Sequence, residues 1–351
     1  MSDMIADTAR RLFADHAERA FAALPPGLDH GAVPWLEPLW LAVEEMGFPL
    51  ALLSEDEGGF GLEPADALGI IRLAAAQAIP LPLAETMLAN WLLSKAGLEP
   101  ASGPATFAAC PELEPEGAGW RLRGTVPAVA WGRHAATLVL LDPAGRLARV
   151  EQGAGTLAGA HNLAGEPRDT LSFDTGVGEV AELPLAPETL RALGALLRAQ
   201  GMAGALEAVL ERSVAYANER VQFGRPIGKF QAIQQALATL AGNTAAARAG
   251  AEMAGAGLGM ALHDPARFTR LAAAAKIRAG EAAGSAASIS HQVHGAIGFT
   301  REYALHPLTT RLWSWRDEFG TETEWSEWLG TEVLTRGAAG FWPLLTGVEE
   351  A

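Results

Sequence analysis

Cysteine is nearly absent from this sequence: Cys110 is the single thiol in 351 residues. No internal disulfide can form, so packing must hold the fold, and a reducing compartment suits such a chain. A lone cysteine is either a reactive thiol or a small buried hydrophobe, and burial is the expected role. Basic residues are outnumbered as well, 26 Lys and Arg against 41 Asp and Glu, for a net charge of −15 with no basic run. A surface of that sign repels phosphate backbones and anionic lipid, which excludes non-specific nucleic-acid and membrane-surface binding. Nor is any apolar stretch long enough to span a bilayer. The first residues, MSDMIADTARRLFADHAERAF, mix acids with bases and lack the apolar core of a secretory signal. A soluble, cytoplasmic protein is the expectation.

What the sequence has is apolar mass. Hydrophobic residues make up 49% and charged residues 19%, enough to bury a sizeable core. Three textures follow one another. Residues 1–103 carry helical periodicity, with Ile5, Ala9, Leu12, Phe13 and Ala20 on one face of the first helix and turn signals at Pro25-Pro26 and Gly58-Gly59. Residues 104–187 read as short strands, Trp120–Arg123, Thr137–Leu141, Arg146–Glu151 and Thr170–Thr175, the pattern of a small antiparallel β domain. Residues 188–351 return to long, alanine-rich helices. Leu206, Val209, Leu210 and Val214 form one stripe, and Ile233, Leu237 and Leu240 the next. Asp264-Pro265 is a helix start, and Trp325, Trp328 and Leu329 mark a last amphipathic helix. The fold class is therefore α+β and mainly α.

Two segments carry chemistry. Residues 219–235 read Glu-Arg-Val-Gln-Phe-Gly-Arg-Pro-Ile-Gly-Lys-Phe-Gln-Ala-Ile-Gln-Gln, and residues 292–300 read Gln-Val-His-Gly-Ala-Ile-Gly-Phe-Thr, followed by Glu302-Tyr303. A dinucleotide brings a pyrophosphate, which needs a permanent cation and backbone N–H donors. Arg220 offers a planar fork for two phosphate oxygens, and Gly224 lets a backbone approach closely. Phe223 can cover an adenine or ribose face, Gln231 and Gln292 supply amides, and Gly295 with Ala296 leaves room for a ligand. Singly, each has a plainer role, since an arginine at a helix end usually caps carbonyls or pairs with an acid. The joint pattern is what points to a ligand.

With Glu57-Gly58-Gly59-Phe60-Gly61-Leu62, these segments closely resemble the acyl-CoA dehydrogenase family, over nearly the whole chain and most strongly from 200 to 321. The resemblance implies an N-terminal helical domain, a central β domain and a C-terminal four-helix bundle. It implies FAD-dependent α,β-dehydrogenation of acyl-CoA thioesters in fatty acid metabolism, with an acceptor such as an electron-transfer flavoprotein. It also implies an oligomer, in which Arg220, Gln222, Phe223, Gln231, Gln292, Gly295 and Ala296 reach the adenosine and pyrophosphate half of an FAD held mainly by a neighbouring subunit.

The family pattern breaks where the chemistry should be. The reaction needs a carboxylate base shielded from water, supplied in the commonest form by Glu-Gly-Thr; the matching stretch here is Phe319-Gly320-Thr321. The family's alternative base position falls at Gly194. Glu318, one residue off, is the remaining candidate base, although adjacent residues point in different directions. In the β domain, Cys110-Pro111-Glu112 echoes the family's Thr-Glu-Pro only faintly, and Ala128-Val129-Ala130-Trp131 replaces its Trp-Ile-Thr-Asn, with Trp131 expected to pack. The expectation is a non-catalytic subunit of a heteromer, lending Arg220, Phe223 and Gln292 to a partner that carries the glutamate. The alternatives are a homo-oligomeric enzyme with Glu318 as a displaced base, a scaffold that kept the fold and lost flavin, and a flavin monooxygenase on the same fold.

Other signals weigh less. Gly255-x-Gly257-x-Gly259 comes after a helical stretch instead of a strand, so it reads as a helix end. His291 and His294 lack the further ligands a metal needs, and packing is expected of them. Asp317, Glu318, Glu322, Glu324 and Glu327 read as a solvated face.

Overall fold

The amphipathic N-terminus forms α1 (Asp3–Ala22), burying Ala9, Phe13 and Ala20. This is a computed structural model describing residues 3–24, 31–117, 119–300 and 303–346; the Pro25-Pro26 turn and Glu302 lie outside the described residues. Next come α2 (Glu37–Glu45), α3 (Pro64–Ala76) and α4 (Leu83–Lys95). Nearly every residue of α4 is buried, so its polar side chains must find partners inside. Asn90 donates to Pro49 O at 3.1 Å and accepts from Ala101 N at 2.9 Å, and the Thr86 hydroxyl exchanges hydrogen bonds with both main-chain groups of Ala105. These bonds tie the helices to the strands beyond them.

Two four-stranded sheets make up the middle of the chain. One contains β1 (Ala105–Ala109), β4 (Thr137–Leu141), β5 (Arg146–Glu151) and β8 (Glu179–Glu182); the other contains β2 (Glu114–Glu116), β3 (Gly119–Ala130), β7 (Arg168–Val177) and β6 (Thr156–Ala158). The expectation of a purely antiparallel module needs correcting, because β1 runs parallel to β4. The chain reaches β4 only after crossing to the second sheet and back, and such an excursion is what a parallel pair requires. β4 is buried along its whole length: Val139 and Leu141 join the helical core, while Leu138 and Leu140 face the second sheet. Cys110 is a buried member of that inter-sheet cluster, and burial pushes its thiol up to about 12.

After Pro187 the helices return as α5 (Pro187–Glu219), α6 (Gln231–Ala256), the short α7 (Met260–His263), α8 (Pro265–His294), α9 (His306–Asp317) and α10 (Glu322–Thr346), the last kinked at Gly337. α8 buries Ala272, Ala275, Ala279, Ala282, Ala283 and Ala286, small side chains that let helices approach closely. The same logic holds at Gly204, where a Cβ would collide with the Arg72 carbonyl of α3. Asp264 caps α8 through Arg267 N, and the glycine run at 255–259 lies at the end of α6 and the start of α7.

Candidate functional site

α5 ends at Arg220, whose N–H still bonds to Tyr216 O. The chain then reverses in a small hairpin pairing β9 (Val221–Gln222) with β10 (Arg225–Pro226). Both turn residues have positive φ, 51° at Phe223 and 79° at Gly224. Glycine takes that conformation without strain, but phenylalanine does not. The strained Phe223 side chain is 91% exposed, edge-on to Phe230 at 6.1 Å. A turn at Ile227–Lys229 leads into α6, with Ile227 N bonded back to Arg220 O at 2.8 Å.

The opposite wall is the end of α8, where Gly295 (φ 64°) breaks the helix just before Ala296. Between the walls lies an open groove of about 420 Å³, lined by Arg220, Gln222, Phe223, Gln292, Gly295 and Ala296 among others. Tyr216 and His294 also line it, their rings stacked at 4.5 Å. The Gln222 amide oxygen, oriented by its hydrogen bonds, accepts from Arg220 Nη2 at 2.8 Å. Burial holds the His294 imidazole below its ordinary pKa; Nδ1 donates to Ser290 O at 2.7 Å and Nε2 accepts from the Tyr303 hydroxyl at 3.2 Å. Of the residues marked by the sequence, Gln231 stands apart, exposed on the first turn of α6 and outside the groove lining. His291 stacks on Phe299 at 4.1 Å and meets Thr309 Oγ1, a packing role.

The second place of interest is where the helices meet the sheets. Sequence reasoning puts Glu318 on a solvated face or makes it a displaced base. Its side chain is instead only 17% exposed and is clamped between two buried arginines, Arg168 Nε at 2.8 Å and Arg198 Nε at 2.5 Å, with Asn162 donating as well. Burial pushes this carboxyl upward, but Arg168 and Arg198 overcome it and hold it at about 2. The pairing continues on both sides: Arg198 binds Glu85 of α4 at 2.8 Å, Arg168 binds Glu166 at 3.0 Å, and Glu166 binds Arg311 of α9 at 3.0 Å. Three acids and three arginines thus form one neutral chain inside the protein, with Trp315 Nε1 also donating to Glu166. No sequence signal announces it, since its members come from positions 85 to 318 and no local spacing connects them.

Phe319 sits next to it at φ 55°, its ring stacked on Phe107 at 5.7 Å and under the Arg198 guanidinium at 5.3 Å. It fills the space over Gly194, where any Cβ would overlap the ring. Lys276 Nζ, from α8, donates to Gly320 O at 2.7 Å and to Arg316 O, and Trp325 Nε1 donates to Phe319 O at 3.0 Å, so the turn is pinned. Trp131 is buried nearby, and the free space left beside Trp131, Trp315, Glu85, Glu166 and Arg198 is about 40 Å³. A site for a drug-sized ligand needs roughly 300–1,000 Å³.

The first place is thus an open groove with a cation and aromatic walls, on helices packed against two small sheets. The family model for the acyl-CoA dehydrogenase C-terminal domain matches residues 188–321. Acyl-CoA dehydrogenase IpdE2 of Mycobacterium tuberculosis is 31% identical over 322 residues, covering 86% of this chain and 88% of that protein. Acyl-CoA dehydrogenase FadE34 of the same organism is 27% identical over 80% of this chain and 40% of its own length. Among solved structures, the M. tuberculosis ChsE4–ChsE5 complex has a TM-score of 0.83 at 21% identity, covering 96% of this chain and 98% of that chain. The Tcur3481–Tcur3483 steroid ACAD G363A variant has a TM-score of 0.82 at 24% identity, with 96% and 98% covered. The chain belongs to the acyl-CoA dehydrogenase family, oxidoreductases acting on CH–CH groups with FAD as cofactor. The groove fits the nucleotide end of that cofactor, whereas the 40 Å³ cavity fits neither a flavin ring nor an acyl chain.

Proposed function

We propose that this chain is the non-catalytic subunit of a heteromeric acyl-CoA dehydrogenase, completing the FAD site of a homologous partner that carries the base. The observation that carries this is the contrast between the two places: the groove is open and the cleft is filled with fixed side chains. When bound, FAD would supply the hydride acceptor for the acyl β-carbon. This chain's residues bind and orient it. Arg220 neutralises pyrophosphate through a fork whose position Gln222 fixes. Phe223 presents an exposed face for the adenosine, and the bare backbone at Gly295–Ala296 admits it. Proton removal would fall to the partner, because Phe319 accepts no proton and Glu318 is already tied to two arginines. That ChsE4 and ChsE5 were solved as a complex supports a two-component assembly.

The test is to purify the chain alone and with a co-expressed homologue bearing glutamate at the position of Phe319, and to quantify flavin by visible absorption. The expected result is a colourless chain alone and a yellow pair, whose FAD content falls at least tenfold with Arg220→Ala. Stoichiometric FAD and acyl-CoA turnover by the chain alone would mean a self-sufficient enzyme and overturn the assignment. A colourless pair would point to a scaffold without flavin.

A further inference from the structure

The edges of the two sheets are guarded differently. β1 is tied to α4, whose Thr86 hydroxyl bonds to Ala105, while β2 and β6 are three residues long and β2 has a proline at its centre. β8 (Glu179–Glu182) is longer and is paired with β5 on one side only. Its register decides which backbone groups are left over. Leu183 N donates to Gly145 O at 2.8 Å, and Ala181 and Glu179 stand opposite Leu147 and Arg149. Hydrogen bonding alternates along an antiparallel pair, so Ala181 and Glu179 bond towards β5. The N–H and C=O groups of Val180 and Glu182 therefore point outward.

That outward edge is one wall of an open groove of about 580 Å³, lined by Trp120, Arg146, Val180, Ala181, Glu182 and Pro184 among others. Val180 packs against the inter-sheet cluster, so Glu182, two residues on, lies on the same face. Trp120 packs there too, with the Arg146 guanidinium 4.4 Å over its ring. Glu179 and Ala181 take the opposite face. The cations of this rim are already engaged: Arg146 is paired with Asp142 and Glu112, and Arg149 with Glu151 and Glu179. Each arginine meets two carboxylates, and Glu182 forms no ion pair among the described residues, so the rim keeps a surplus of negative charge.

We propose that β8 and this groove are a docking site for an extended, basic segment of another protein, which adds a strand to the sheet. A second copy of this chain does not suit the edge, because it would crowd Glu179 and Glu182 of both chains along one short ladder, where like charges are destabilising. A basic strand meets the opposite condition. Backbone hydrogen bonds supply its affinity, and its side chains supply the selectivity. Glu179 and Glu182 are three residues apart on opposite faces, so the incoming strand needs cations at that same separation, with apolar residues between them and one over Val180. The groove shares no lining residue named here with the one at the β9–β10 hairpin, so its failure leaves the subunit assignment untouched.

The probe is the capped, fluorescein-labelled hexapeptide Thr-Lys-Val-Val-Lys-Thr. Its isomer Thr-Val-Lys-Lys-Val-Thr is the control of equal charge and composition, and both are followed by fluorescence anisotropy with the whole chain. The first is expected to bind saturably and about tenfold more tightly than the second. Val180→Pro removes an outward N–H and no bond to β5, so Tm should hold while affinity for the first peptide falls about tenfold. Glu182→Lys should weaken that peptide by a similar factor and strengthen binding of Thr-Glu-Val-Val-Glu-Thr. Equal binding of the two isomers, no saturable binding, or a folded V180P that binds like the unsubstituted protein would overturn the assignment. Should V180P fail to fold, E182K decides, and an unchanged preference between the lysine and glutamate peptides overturns it as well.

Discussion

Phe319 and Gly194 are best understood as one feature. Each is unfavourable alone: a phenylalanine at φ 55° is strained, and a glycine inside a helix costs about 1 kcal/mol relative to alanine. Together they fit, because the missing Cβ is the room the ring occupies. The expected outcome of Gly194→Ala is therefore the opposite of its helix propensity, a destabilisation of about 1–3 kcal/mol from overpacking. In G194A/F319A the clash is gone, so the double variant should be more stable than additivity of the singles allows, as read from urea unfolding. Additive values would mean that the ring moves aside freely. Position 194 was legible as a place where the family's alternative base is missing, but not as the partner of 319, since contacts across that separation leave no local pattern.

Among the elements, the β9–β10 hairpin and the end of α8 bring two sequence motifs to one place. Arg220, Gln222, Phe223, Gln292, Gly295 and Ala296 stand in two short runs and line one groove, so their grouping was legible in linear motifs, while Gln231 of the same set does not reach it. Helix periodicity likewise located the long helices. Short strands were harder: β1, β2, β6 and β8 escaped, because runs of three to five residues that are exposed throughout (β2, β6), partly exposed (β8) or buried at one end (β1) give no clear alternation. The buried ion chain escaped altogether, being a tertiary feature. At the hairpin tip the strain gives a prediction. Phe223→Gly removes an exposed ring held at φ 51°, so Tm should hold or rise slightly while FAD retention by the assembled protein falls. A loss of both together would make Phe223 an ordinary packing residue.

For the whole molecule, the ion chain sets the response to pH. It joins α4, α5, α9 and the segment leading into β7, so its ionisation state bears on how helices and sheets are held together. Glu318 is lowered from 4.5 to about 2, so its contribution is present above about pH 4.5 and is lost as pH falls towards 2. Lys276 behaves in the contrary sense. Burial lowers it from 10.5 to about 8, so keeping it charged in the folded state costs stability below that pH, and the cost disappears as pH rises towards 10.5. Urea midpoints should therefore fall steeply below about pH 4.5, and Lys276→Met should remove a gain seen between about pH 8 and 10.5. A Lys276→Met profile that parallels the parent protein throughout would show that the ammonium carries no such penalty. The groove and the ion chain also sit far apart, since Arg198 and Arg220 are separated by about 33 Å along α5.

The interlock of Phe319 with Gly194 and Arg198 restricts what a single substitution can achieve. Placing a glutamate at 319 in a single step would remove the stack on Phe107, leave a void over Gly194 and deliver the new carboxylate to Arg198, which would quench it as a base. Each such single change is worse than none, so positions 107, 194, 198 and 319 can be altered without loss only together.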